Sequence, residues 1–444
     1  MKYIFKMSNN LYIRFFVYIL IWLLYLSFMS VYAPLGTDWL SWHFQRISNF
    51  SEYLKINGYL SSFGFSIWNG CEGCSLVSKD WTEKIYLSIN FFSLLPYIII
   101  NDFFGNDNLK LYGHLVDKST IFLSGCLISE LLIKLSKKTK NKFHNFILPV
   151  LCFTFFISNP WTYKMIIGSW WLIFFLLFFL LGILMFLNKK NKLGFFYFFI
   201  AGCFDYQSSF GMAFFYIFVL LILFLKNKIN FNNEFFPNAQ NKLSNCIIII
   251  SLMLPVFIFF FLRMGASSGI ENPSGSFLLM RIGISGDDIY NGGILGALQF
   301  LGGNRITQCF INFEKQINLD NLSDTIFIYN CALSLLSMVI VSLISIIGLF
   351  FLHKKNNVFF KIVTLPILFL FLSYTFLLQQ SSSAHLMGYS YFFSVLFSVG
   401  ITAIIFRILE KYNFSLISIF LATPITLGVI LLCIRVSMLT GVNG

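Results

Sequence analysis

The chain has 444 residues, 57% hydrophobic and 11% charged, with a mean hydropathy of +0.78. These values exclude a single soluble globule and call for an all-α polytopic membrane protein, because helices satisfy their own backbone groups in lipid. The formal charge of +13 does not point to nucleic acid, since the lysines sit in short clusters between apolar runs, as cytoplasmic anchors do.

The first apolar run, residues 12–33, follows Lys2, Lys6 and Arg14, which predicts a cytoplasmic N-terminus. A cleaved signal peptide is the competing reading, but the run is too long for one, and Pro34 after Ala33 is a poor cleavage context. An uncleaved first helix is expected. Basic clusters then recur at 134–142, 189–192, 226–242, 353–361 and 407–411. Keeping all of them inside requires an even number of spans between neighbours. A span starting near 119 leads to the first cluster. Runs at 145–158 and 164–187, 194–205 and 209–225, 244–263 and 326–352, and 358–378 and 391–406 supply the pairs between clusters. A last span near 414–436 leaves the C-terminus outside.

One run breaks the alternation. Residues 85–101 contain Pro96 and sit at the lower limit of about 17 residues for crossing a bilayer. Read as an interfacial or re-entrant helix, they leave about eleven transmembrane helices in one integral membrane domain over 1–444. The two largest extramembrane segments, 34–117 and 264–325, then lie outside, with smaller outer loops at 159–164, 204–209 and 379–390. The 58 phenylalanines are expected as lipid-facing bulk.

The outer segment 34–117 opens with Pro34-Leu35-Gly36-Thr37-Asp38-Trp39-Leu40-Ser41-Trp42-His43-Phe44-Gln45-Arg46. An acid, a histidine and an arginine within nine residues at a membrane interface are costly unless used. Further on come Gly58 and Trp68, then Phe103-Phe104-Gly105, Lys137-Lys138 and Ser158-Asn159-Pro160.

Together these residues resemble the glycosyltransferase-C (GT-C) superfamily, membrane enzymes that use polyprenyl-phosphate-linked sugars. In members such as oligosaccharyltransferases the first outer loop has an Asp, then His or Asn, Arg, Gly and Trp, matched here by Asp38, His43, Arg46, Gly58 and Trp68. Many members also have an interfacial helix ending near Phe-Gly, then a second span, basic residues, and a third span ending at Pro. The resemblance covers about residues 1–165. It implies sugar transfer from a polyprenyl-phosphate donor to a glycan or lipid acceptor on the outer face of a bacterial inner membrane. The second acidic motif that the family often carries in the next outer loop has no counterpart in 159–164. No cofactor is implied, and a divalent metal finds no second acid there.

Such a transfer needs a base beside the acceptor hydroxyl, the role expected of Asp38. Phosphate charge needs cationic donors, and Lys164, Arg263, Arg281, Arg305 and Lys315 are the outer-face candidates, with Arg the better fork. His43, Arg46, Trp68 and His385 complete the expected substrate contacts. Asp80 and Asp205 are the candidate second acids. Each has a plainer alternative. Asp38 suits a helix N-cap, His43 and Arg46 suit headgroups, and Arg263 suits snorkelling at the end of a span. Arg281 and Arg305 suit a solvated loop, and His385 a solvated turn. Cys71-Glu72-Gly73-Cys74 is read as a disulfide, with two free thiols as the alternative, and the other seven cysteines as small hydrophobes. Glu130 is an intramembrane carboxylate, expected to face the interior or the inner headgroups.

No nucleotide or dinucleotide motif is present, and neither is an internal repeat. The expected partners are the donor, its acceptor and membrane lipids, without nucleic acid. The alternatives are an O-antigen-type polymerase, or a lipid-linked sugar flippase or other transporter, which would carry buried midspan charges and repeated halves.

If 85–101 does not cross, single cysteines replacing Asp80 and Asp107 should both react with an impermeant reagent from the outer face. Labelling of position 107 only from the cytoplasm would overturn the eleven-span scheme.

Overall fold

The computed structural model describes residues 11–32, 47–48, 50–56, 65–67, 85–135, 142–168, 173–225, 243–267, 301, 322–355, 357–377, 390–411 and 416–441. The helices are α1 (Leu11–Tyr32), α2 (Phe91–Phe104), α3 (Asn106–Leu135), α4 (Lys142–Ser158), α5 (Pro160–Gly168), α6 (Ile173–Leu187), α7 (Asn191–Phe204), α8 (Tyr206–Leu225), α9 (Leu243–Ser267), α10 (Leu322–Lys355), α11 (Leu365–Leu377), α12 (Ser390–Lys411) and α13 (Leu416–Gly441). A helical segment at 50–56 and two strands, β1 (Phe65–Ile67) and β2 (Ile85–Asn90), complete the described elements used below.

The apolar runs of the sequence become helices almost one for one. Among the described residues three stretches are long and apolar enough to cross a membrane: Tyr329–His353, Tyr391–Lys411 and Ile419–Met438. Shorter apolar helices make up most of the rest. A polytopic membrane protein is the architecture these helices fit.

Two expectations are corrected in detail. Residues 85–101 are not one helix, because Ile85–Asn90 pairs antiparallel with Phe65–Ile67 before α2 begins. The isoleucines and tyrosine of Ile85-Tyr86-Leu87-Ser88-Ile89 suit a strand. Of the run 164–187, the described residues form the rest of α5 up to Gly168 and α6 from Ile173. Residues 159–164, expected as a loop, mostly belong to α5. Asn159 Oδ1 accepts the Thr162 N–H at 2.8 Å as an N-cap, and Pro160 takes the first helical position, where no N–H is needed.

Two compact units divide the chain. The first comprises residues 1–35, 122–165 and 287–444, and the second comprises 36–121 and 166–286. In the first unit α1 packs on α4, and α12 packs on α4, α10, α11 and α13. The α10–α12 contact depends on small residues. A Cβ on Gly348 would lie 2.1 Å from the Gly400 carbonyl oxygen, and one on Gly400 would lie 2.1 Å from that of Ser345. Ser345 also donates its hydroxyl across the contact to Phe397 O at 3.0 Å. Backbones this close gain dispersion and polar contact, which hydrocarbon-immersed helices need because lipid tails supply no hydrophobic drive to associate. The helix before α11 widens to a π turn at Phe360–Thr364, where Leu365 N–H reaches back five residues to Phe360 O. The following Pro366 has no N–H, and its ring crowds the carbonyl four residues earlier.

The first unit also holds an ion pair between helices. Arg14 on α1 forks onto Glu130 on α3, Nε to Oε1 at 2.8 Å and Nη2 to Oε2 at 2.6 Å, and Tyr18 donates to Oε1 at 2.9 Å. The pair is mostly buried, so Glu130 meets the expectation of an interior-facing carboxylate with a named partner.

In the second unit α9 packs on α7 and α8, and α6 forms a hairpin with α7. Its core is aromatic. Phe204 stacks on Phe174 at 4.9 Å and on Phe178 at 5.3 Å, and Tyr97 meets Phe174 edge-on at 6.1 Å. Phe50, Phe153, Phe175 and Phe393 are buried while Phe103, Phe261 and Phe420 are exposed, so phenylalanine fills the interior as well as the outer faces, and the expectation of outward-facing bulk covers only part of them. The reason is shape: a flat ring fills the gap between helices that smaller aliphatic residues would leave open.

Removing one partner of a buried ion pair typically costs about 3–5 kcal/mol, and Glu130 keeps some exposure, so the lower end applies. Arg14→Gln and Glu130→Gln should each lower the melting temperature of the purified chain, and the swap Arg14→Glu with Glu130→Arg should recover part of the loss. Melting temperatures unchanged in both single variants would remove the pair from the stability of α1 and α3.

Candidate functional site

The polar groups of the second unit gather where α2 meets its neighbours. Leu94, Tyr97, Ile98 and Asn101 recur at helical spacing on one face of α2. They are buried, and the three apolar ones join Ile47, Phe50, Tyr53, Leu54 and Leu109 in one core. The opposite face, with Phe92, Ile99 and Phe103, is apolar and exposed. Ser93 donates its hydroxyl to Phe204 O, tying α2 to the end of α7. At 14 residues α2 is about 21 Å long, short of a bilayer core of about 30 Å. It ends at Gly105, whose φ of +78° is the left-handed stop that glycine adopts without strain.

Two carboxylates meet this helix. Asp117 on α3 is fully buried and accepts the Tyr97 hydroxyl through Oδ1. Burial, reinforced by the adjacent carboxylate, pushes the Tyr97 phenol well above its ordinary range, so it stays a donor at any physiological pH. His114, also buried, lies three residues before Asp117 on the same face of α3. The second carboxylate, Asp102, sits near the end of α2. Its Oδ1 accepts the Ser51 hydroxyl at 2.8 Å and pairs with Lys55 Nζ at 2.7 Å. Both partners belong to the helical segment at 50–56, which begins shortly after Arg46.

A third acid, Asp205, separates α7 from α8. Its N–H closes α7 on Ala201 O at 3.0 Å, while Oδ1 accepts the N–H groups of Gln207 at 3.1 Å and Ser208 at 3.2 Å. Oδ2 accepts the Ser208 hydroxyl. One residue thus stops a helix and N-caps the next, with the negative charge at the positive end of the α8 dipole. Next to it Ser209 donates to Leu252 O on α9 at 2.7 Å, fixing the three helices together.

Of the residues expected to form the site, only Asp205 has a described side chain. Asp38, His43, Arg46, Trp68, Cys71, Cys74, Asp80, Arg281, Arg305 and His385 lie outside the described residues. Lys164 is on α5 and Arg263 on α9. Asp102, Asp117 and His114 were not singled out in the sequence, although signals for them existed. His114 and Asp117 are three apart, on one helix face, and Asn101-Asp102 ends an otherwise apolar run. Among the described residues no three His, Cys, Asp or Glu side chains gather as a metal site would require. Cys331 on α10 is disulfide-bonded, which its reading as a small hydrophobe did not anticipate, whereas Cys126, Cys152, Cys203, Cys246 and Cys433 are free. Compared with known proteins, the chain matches no family model, no curated protein and no solved structure.

Asn caps a helix about as well as Asp, so Asp205→Asn should leave thermal stability nearly unchanged, while Asp205→Ala should cost about 1–2 kcal/mol. Thermal unfolding of both variants, alongside any activity assay, separates the cap from an acid in the chemistry. Loss of activity in a stable Asn variant would give Asp205 a chemical role as well.

Proposed function

We propose that the chain is a membrane glycosyltransferase of GT-C type that acts on the outer face of a bacterial inner membrane. It moves a sugar from a polyprenyl-phosphate carrier to a glycan or lipid acceptor. The observation that carries this reading is the stretch from Pro34 to Arg46, directly after the first apolar helix, with Asp38, His43 and Arg46 concentrated at an interface.

Several observations support it. The α2 helix is too short to cross, buries one face and exposes an apolar one, as an interfacial helix does. That agrees with about eleven crossings, N-terminus inside. The orientation draws support from α10. Cys331, near one end, is disulfide-bonded, as befits an oxidising compartment, while Lys354 and Lys355 lie at the other end. The rise from Cys331 to Lys354 is about 34 Å, enough to separate the two faces of a membrane.

In this reading the acceptor hydroxyl oxygen attacks the anomeric carbon as the bond from that carbon to the phosphate oxygen breaks. The hydroxyl proton passes to the Asp38 carboxylate, and polyprenyl phosphate leaves with the bonding electrons. Direct displacement inverts the anomeric centre. Lys164, Arg263, Arg281 and Arg305 are the groups proposed to meet the phosphate charge as it develops. His43, Arg46, Trp68 and His385 would orient the sugars.

Radiolabelled sugar transfer from a defined polyprenyl-phosphate donor tests the proposal. Asp38→Asn preserves a helix cap but removes the basic oxygen, so activity should fall by roughly a hundredfold or more in a normally folded protein. Activity within a few-fold of wild type would take Asp38 out of the mechanism. Carrier movement across vesicles without transfer would favour the flippase alternative.

A further inference from the structure

We propose that Asp102 and Lys55, held by Ser51, form a subsite for the hydroxyl groups of an uncharged sugar; the choice of sugar as ligand rests on the glycosyltransferase reading. The geometry is asymmetric. Both donors of the cluster, Ser51 Oγ at 2.8 Å and Lys55 Nζ at 2.7 Å, fall on Oδ1 of Asp102. Oδ2 receives none among the described residues. Ser51 is almost completely buried and fixes the carboxylate from within. The side chains of Asp102 and Lys55 are 27% and 51% exposed, so both remain within reach of a ligand.

An ammonium group has three N–H donors, and Lys55 spends one on Asp102. An open acceptor and open donors therefore lie side by side at this corner. A sugar hydroxyl, which donates and accepts at once, complements that pattern. Phosphate does not, because Asp102 repels it, and a free metal cation is repelled by Lys55. Stability gives little reason for the arrangement, since solvent-exposed ion pairs are worth about 0–1 kcal/mol.

The experiment uses the full chain in lipid nanodiscs free of glycoside detergent. Saturation-transfer NMR is recorded with the methyl glycosides of glucose, galactose, mannose and N-acetylglucosamine, with inorganic phosphate as competitor. At least one glycoside should receive saturation from the wild-type protein. Asp102→Asn keeps an acceptor for Ser51, and Lys55→Gln changes an exposed side chain, so both should fold with near-normal melting temperatures. Each should weaken glycoside binding by about tenfold, the scale of losing a hydrogen bond to a charged group. Phosphate should not compete. No transfer to any glycoside, unchanged binding in both variants, or displacement by phosphate would each overturn the subsite. Glycoside binding lost in Asp102→Asn, in a protein that transfers no sugar from any donor, would uphold the subsite and remove the transferase reading instead. Sugar transfer that depends on Asp38 but shows no glycoside binding would do the reverse.

Discussion

A chain this apolar has to satisfy its backbone polar groups within its own helices, and every place where a helix stops leaves donors and acceptors to be paired. The structure meets that demand with a small set of side chains. Asp205 closes α7 and opens α8, Asn159 does the same between α4 and α5, and Asn108 donates to Phe104 O at 2.9 Å beyond the end of α2. Asn159 also accepts from Ser394 on α12 at 3.1 Å, so the cap that ends one helix grips another. Asp205, Asn159 and Asn108, which look scattered along the sequence, thus sit where helices end.

The two units are held by different means. In the first, glycine and serine allow α10 and α12 to approach backbone to backbone, and a forked Arg14–Glu130 pair links α1 to α3. In the second, flat aromatic rings interleave around Phe204, and α2 buries its face against that core. The first kind of contact is directional and intolerant of added volume. The second is broader and draws on area burial as well as ring geometry.

The acids of the second unit sort by how many of their oxygens the fold employs. Asp205 uses both in capping, and Asp117 is buried with a tyrosine hydroxyl on Oδ1. Asp102 alone among these three combines solvent exposure with an oxygen not engaged by described residues. Its partners Ser51 and Lys55 lie a few residues after Arg46, so the bonds that orient Asp102 also anchor the chain just downstream of the Asp38–Arg46 stretch.

Hydropathy and lysine placement sufficed to locate nearly every helix, because a run of apolar residues long enough to need burial has few other ways to satisfy its backbone. They failed at the strand Ile85–Asn90, and at 160–164, where Asn159 and Pro160 start a helix in a segment that reads as a loop. The Asp38 stretch was legible as a cluster of ionisable residues beside an apolar helix, and the side chains of nearly all the other expected site residues lie outside those described. Asp102, Asp117 and His114 were not legible as a group, since residues 51 and 55 meet 102, and 97 meets 117, only after α2 folds back against its neighbours. Sequence alone determined the class of protein and the order of its helices, through the cost of exposing apolar groups to water and backbone groups to lipid. Which charges pair, and which carboxylate oxygens stay open, only the tertiary structure decided, because those contacts join residues whose separation along the chain carries no period.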